Sequence, residues 1–187
     1  KVGANAELTS EGNITGDART EATIRNRSRT TGAGFVANPL ASNETTLDID
    51  NNIITSSGSK LKATTAEKDV SLAASEDLDI TASSDSDMQG GLGGAANADT
   101  EFDTTKENSV KIYGDLESKH DINLYADADS SGKINVYDIS ATAYAYNKHS
   151  AVAIANADLD SETEQTNEIL IGADADISSV RHIHLGA

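Results

Sequence analysis

The stretch Asp127-Ala128-Asp129-Ser130-Ser131-Gly132-Lys133-Ile134-Asn135-Val136-Tyr137-Asp138 has the spacing of a calcium-binding loop. Oxygen-bearing side chains fall at positions 1, 3 and 5, glycine at 6, an aliphatic at 8 and a carboxylate at 12. A hard cation takes several oxygens converging on a sharp turn, and this spacing supplies them. Asp127, Asp129, Ser131 and Asp138 are therefore the candidate metal ligands, with calcium the candidate ion. Ser131 stands where Asp or Asn is usual, and Asp138 where a bidentate Glu is usual. The flanks read as strand, so the same residues also describe an acidic strand–turn–strand corner with Ile134 and Val136 turned inward.

Other residues offer less. Gly90-Gly91-Leu92-Gly93-Gly94 suggests a glycine-rich calcium repeat but lacks its Asp and does not recur, so it reads as a flexible or closely packed turn; nor does a Lys-Ser/Thr follow to make a phosphate loop. His182 and His184 flank Ile183 and should share the outward face of one strand, without an evident third ligand. His120 and His149 stand isolated. Acid pairs such as Asp77/Asp79, Asp85/Asp87 and Asp174/Asp176 recur along the chain. Glycoside hydrolysis needs two carboxylates set across a cleft, with aromatics to hold the sugar. A chain without Trp that repeats its acids throughout fits a solvated outer face better, so no catalytic residue and no enzyme is expected.

The elements that position these residues are limited by composition. The 187 residues include no Trp, two Phe, five Tyr and one Pro, and the apolar residues are mostly Ala, Ile, Leu and Val. Such residues cannot fill a wide globular interior at native density, but they can fill the narrow column of a solenoid. The formal net charge is −17, which disfavours nucleic acid and anionic lipid as partners. Residues 1–44 carry five basic and five acidic side chains, so the whole excess lies in residues 45–187. Cysteine is absent, and no stretch is long and apolar enough to insert in a membrane.

Internal repetition carries the architecture. Thr45–Ile49, Asn108–Ile112 and Asn167–Ile171 each place two polar residues before aliphatic–any–aliphatic, with starts 63 and 59 residues apart. Lys60–Ala63, Asp121–Ala126 and His182–Ala187 follow as a second set. Apolar residues alternate in Val70/Leu72/Ala74, Leu78/Ile80/Ala82 and Ile134/Val136, the period of half-buried strands. Ala141–Asn156 alternates too and is expected to be strand rather than helix. Small-residue inserts, Thr31–Glu44, Gln89–Glu107 and Tyr144–Thr166, are expected as thin strands or a protruding loop at a fixed place in each unit. The hairpin turns and large core residues of a sandwich are missing, which favours a β-solenoid with units at about 1–44, 45–107, 108–166 and 167–187.

The alternating runs Asn108–Ile112 and Asp121–Ala126, with the Ala/Gly-rich insert Gln89–Ala98, resemble repeats of filamentous-haemagglutinin-like and leukotoxin-like giant adhesins of Gram-negative bacteria. The resemblance covers nearly the whole chain, although such motifs occur in other β-solenoids. It implies a right-handed parallel β-helix in a secreted, surface-exposed filament, exported through an outer-membrane partner. The secretion domain of that family is not present in these residues. Asp127–Asp138 also resembles a dockerin calcium loop. The chain, which opens at Lys1 within a pattern, is expected to be a fragment of something longer. The resulting expectation is an adhesive stalk segment meeting surface glycans, proteins or sister filaments. Two alternatives stand beside it, a filament or matrix subunit stacking head to tail and a β-helix enzyme acting on polysaccharide.

Overall fold

The computed structural model describes residues 1–149 and 151–187; Ser150, within the Tyr144–Thr166 insert, lies outside the described residues. The chain is an all-β parallel solenoid, as the period-two alternation predicts. Its first turn holds β1 (Glu7–Ser10), β2 (Ile14–Ala33), β3 (Val36–Ala37) and β4 (Leu40–Thr55). The second holds β5 (Lys60–Ala63), β6 (Val70–Gln89) and β7 (Gly93–Ile112). The third holds β8 (Asp115–Ser118), β9 (Ile122–Tyr125), β10 (Val136–Lys148) and β11 (Ala153–Ile171), and β12 (Ile177–Ser179) with β13 (Ile183–Gly186) start a fourth. Equivalent strands stack in parallel to form three sheets: the short sheet B (β1, β5, β8, β12), sheet C (β2, β6, β9/β10, β13) and sheet A (β3/β4, β7, β11).

Each turn has two parts. The short strands of sheet B close a three-sided spine against the inner ends of sheets A and C. Its core takes Leu61 and Leu116 from sheet B, Val70, Leu72, Ile122 and Leu124 from sheet C, and Ile53, Val110 and Ile112 from sheet A. Beyond residue 76, β6 leaves the spine and runs outward, and β7 returns beside it. The 13 residues Asp77–Gln89 span about 43 Å at strand rise. This arm is a two-layer slab of sheets C and A, filled at its inner end by Ile49, Leu78, Ile80, Ala82 and Phe102. Farther out the buried residues are mostly small, Ser84, Ser86, Ala96, Ala98 and Thr100, until Met88 fills the space beside Gly94 at the tip. Small side chains let the two layers approach closely enough for direct bonds, such as Ser86 Oγ donating to Pro39 O at 3.0 Å. The spine is a solenoid and the arm is a sandwich built from the same strands.

The Ala/Gly-rich inserts supply the arm tips and the returning strands. The chain reverses at Gly34–Phe35, at Gly90–Leu92 and after His149. At the second tip, Gly91 has φ +118° and its Cα packs on the carbonyls of Gly34 and Phe35 one turn below, so a side chain there would collide with backbone. Of the expected strand Ala141–Asn156, residues 141–148 lie in β10 and 153–156 in β11.

Register differs from the repeat alignment at one step. Asn167–Ile171 stands on Asn108–Ile112, but the residues beneath Asn108–Ile112 are Asn51–Thr55, not Thr45–Ile49. Likewise Asp115–Ser118 lies over Lys60–Ala63, and Ile122–Tyr125 lies over Val70–Ala73. The first-to-second step in sheet A is 57 residues rather than 63, because β4 contains the same polar-polar-apolar pattern twice. The aligned asparagines give the register away. Asn51 donates through Nδ2 to Asn108 Oδ1 at 3.1 Å, and Asn167 lies 3.3 Å from Asn108 in the next turn. Such a buried amide column satisfies its polar atoms only when the turns align.

Candidate functional site

The acidic turn arises as an insertion. Val70 pairs with Ile122 across 52 residues, whereas Asp77 pairs with Val136 across 59. Seven extra residues therefore leave sheet C between β9 and β10. They fold back over the second turn, where the Ser130 hydroxyl donates to Asp17 in the first at 2.9 Å. Gly132, at φ +80°, makes the sharp bend its place in the motif requires.

The four candidate calcium ligands do not converge there. Asp129 Oδ1 accepts from the backbone N–H groups of Ser131 and Lys133 at 2.9 and 3.0 Å and from the Ser131 hydroxyl at 2.5 Å. Those bonds hold its carboxyl below the usual range, the Ser131 hydroxyl contributing most. It closes the turn itself, as an Asx-type cap does. Asp138 lies in the outer row of sheet C, paired in register with Asp79. Asp127 turns the other way, with Oδ1 accepting from Asn135 Nδ2 at 2.8 Å. Ile134 and Val136 are exposed (70% and 53%), which corrects the inward placement expected from the alternation. The alternation is right in period but wrong in phase, because the inserted loop resets which residues of β10 face in.

The inward residue of that strand is Tyr137, and it joins a buried charge cluster that local sequence could not reveal. Its hydroxyl lies 2.9 Å from Glu76 Oε1 and 3.0 Å from Asp127 Oδ1 and can donate to only one at a time. Lys106 Nζ sits 3.6 Å from the centre of the Tyr137 ring, 3.9 Å from Glu76 Oε1, and donates to Gln165 Oε1 at 3.1 Å. Glu76 and Lys106 side chains are 0% and 3% exposed. Burial pushes the Glu76 carboxyl up, the Lys106 ammonium down and the Tyr137 phenol up. An ammonium already occupies the cation position among these carboxylates. Asp127 is engaged by uncharged neighbours, its Oδ1 within hydrogen-bond distance of Asn135 Nδ2, the Tyr137 hydroxyl and Gln165 Nε2.

His120 is not isolated. Its Nδ1 lies 2.7 Å from Asp69 Oδ1 and 3.5 Å from Asp121 Oδ2, the only close His/acid triad among the described residues. Arg181 abuts His120 Nε2, which places the ring proton on Nδ1, toward Asp69. The carboxylates have another task as well. Asn13 Oδ1 accepts from Asp69 N–H, Asp69 Oδ1 from Asp121 N–H and Asp121 Oδ1 from His182 N–H, each at 3.1 Å. This corner ladder ties each turn to the next and leaves the triad little freedom to ligate metal. His182 and His184 stand on one exposed face with rings 5.7 Å apart.

The arm faces differ sharply in charge. On sheet A the outward positions 42–50, 99–107 and 158–166 number fifteen, of which eleven are Asp or Glu and the rest Ser or Thr. Glu44, Glu101 and Asp160 stack in one column about 4.8 Å apart. The charges of Asp103 and Glu44 push the Glu101 carboxyl above its usual range. On sheet C three of the four arginines of β2 pair with acids of β6: Arg25 meets Asp79 at 2.8 Å, Arg19 contacts Asp77 and Arg27 contacts Asp85. Stacking thus sets Arg19, Arg25 and Arg27 of the charge-balanced first turn against acids of the second. Comparison with known protein families, with characterised proteins and with solved structures returned no match.

Proposed function

We propose that this chain is a structural and adhesive segment of a secreted bacterial surface filament of the filamentous-haemagglutinin-like kind. It acts by shape and repeated weak contacts rather than by catalysis. The observation that carries this reading is the division of each turn into a packed spine and a long thin arm. The spine supplies stiffness through stacked strands, and the arms present surface at strand spacing, so that one weak contact recurs in every turn. A slab about two strands thick gives more accessible surface per residue than a compact domain would. The dense carboxylates of sheet A keep such rods apart in solution through self-repulsion.

Beads coated with the chain test this reading. They should adhere to bacterial or epithelial cells far better than beads coated with an equally acidic globular protein, while the free chain competes only weakly. Equal adhesion of the two bead types would contradict it. One observation favours the second reading, a subunit that stacks end to end. The unpaired edges of β11 and β13 leave Leu159, Ile171, Ile183 and Leu185 exposed by 49%, 43%, 46% and 57%. Regular fibres of the pure chain in electron micrographs would favour that subunit, and monomers would count against it.

A further inference from the structure

We propose that the outer face of sheet C, in the distal arm, binds neutral saccharides on a site formed by Tyr144, Tyr146, Arg29 and Asp87. Register brings three turns together there. Arg29, Asp85 and Tyr144 form one row, and Thr31, Asp87 and Tyr146 form the next. The two tyrosines are 58% and 43% exposed, with rings inclined by only 14° and centroids 6.2 Å apart. They border an open depression of about 180 Å³ together with Arg27, Arg29, Asp85 and Asp87.

The polar groups in this depression are unequally engaged. Arg27 is taken up by Asp85, with Nε 3.0 Å from Oδ2. Arg29 forms no ion pair or side-chain hydrogen bond among the described residues; Asp87 Oδ2 accepts from Gln89 Nε2 at 2.9 Å, while its Oδ1 is buried. An unpaired guanidinium and a carboxylate oxygen able to accept a second hydrogen bond thus flank two exposed aromatic rings.

Charge selects the ligand class. Two arginines and two aspartates make the depression locally neutral, unlike the acid columns on the opposite face. An anion would meet Asp85 and Asp87 on a molecule of net charge −17, and a cation would meet Arg27 and Arg29. A purely apolar ligand would strip water from four charged groups without replacing their hydrogen bonds. A neutral sugar avoids all three costs. Its C–H face covers a phenol ring, while its hydroxyls accept from Arg29 and donate to Asp87 Oδ2 beside Gln89. This inference rests on the display reading for its setting, and the rings, charges and register supply its chemistry.

The test is a titration of the 187-residue chain with lactose, cellotetraose and chitotetraose, with a sulfated glycosaminoglycan as the charged comparison. It is followed by the NMR ring signals of the five tyrosines. The expected result is that at least one neutral sugar shifts Tyr144 and Tyr146, leaving Tyr113 and Tyr125 in place. Tyr144→Ala and Arg29→Ala should each weaken that binding about tenfold, while the circular dichroism and melting curve stay as in the parent chain. Silence of all three neutral sugars, binding of the sulfated glycan alone, or unchanged affinity in both variants would overturn the proposal. Adhesive beads with a silent titration would sink the site and spare the display reading; binding sugars with inert beads would do the reverse.

Discussion

The spine and the arm are made from the same continuous strands but are held together by different forces. In the spine, three sheets enclose fully buried Leu61, Ile112, Leu116, Ile122 and Leu124, so removal of apolar area from water dominates. In the distal arm, two sheets enclose Ser84, Ala96, Ala98 and Thr100, with Met88 the one large apolar side chain buried near the tip among the described residues. Cohesion there comes from the strand ladders and from hydroxyl bonds across the slab, such as Thr100 Oγ1 donating to Thr142 O at 2.8 Å. The lesson is that a parallel solenoid can extend one side far beyond its core if the extension is thin and lined with small residues. The Glu76–Lys106–Tyr137 cluster sits where one regime gives way to the other.

That boundary is where the comparison breaks most easily. Lys106→Ala leaves Glu76 buried without its counter-charge and should cost about 3–5 kcal/mol in chemical denaturation. Replacing the pair together, as Lys106→Met with Glu76→Leu, should recover most of that loss. In the spine, Leu124→Ala should cost about 2–5 kcal/mol through lost burial and a cavity. In the arm, Ser84→Ala should cost only about 1 kcal/mol, the net worth of its hydrogen bonds to Thr100 and Asp99. Equal effects of the last two substitutions would erase the distinction between spine and arm.

The acid face gives the gentlest contrast. Glu101 and Glu76 have carboxyls raised in the folded chain, Glu101 chiefly by Asp103 and Glu44 and Glu76 by burial. The folded state therefore binds more protons than the unfolded state just above the ordinary Glu range, and stability rises as pH falls through that range. Asp77, Asp129 and Glu117 are shifted the opposite way, so their contribution is lost at still lower pH. Melting temperature should thus rise modestly from neutral pH toward pH 5 and then fall steeply. Added salt should raise the neutral value by screening the columns, and Glu101→Gln should reduce that salt response.

The solenoid was legible because alternation and a long repeat survive in the sequence even where identity does not. Val70, Leu72, Leu78 and Ile80 face inward as their period requires. The step of 57 residues was harder to see, since the pattern at Thr45–Ile49 competes with the one at Asn51–Thr55; only the asparagine column separates them. The charge cluster was not legible. Glu76, Lys106 and Tyr137 lie on three different strands, and Lys106 occupies an inward position that alternation reserves for apolar residues. The acidic turn was legible as a turn, but spacing fixes which oxygens are available and not which way each carboxylate turns. His120 looked solitary for a related reason: Asp69 is 51 residues away in sequence and one turn away in space.

The central claim is parallel stacking in this register, and the absence of cysteine makes it directly testable. Thr46 and Asp103 are paired outward positions on adjacent turns of sheet A, whereas Ser109 lies six residues farther along β7. Stacked strands place paired Cα atoms about 5 Å apart, within the range of a disulfide, and a six-residue shift adds about 20 Å. Under mild oxidation, the Thr46→Cys/Asp103→Cys chain should form an intramolecular disulfide quickly and keep its parent melting curve. Thr46→Cys/Ser109→Cys should remain reduced. Rapid closure of the second pair, with none in the first, would contradict the register and the stacked arm with it.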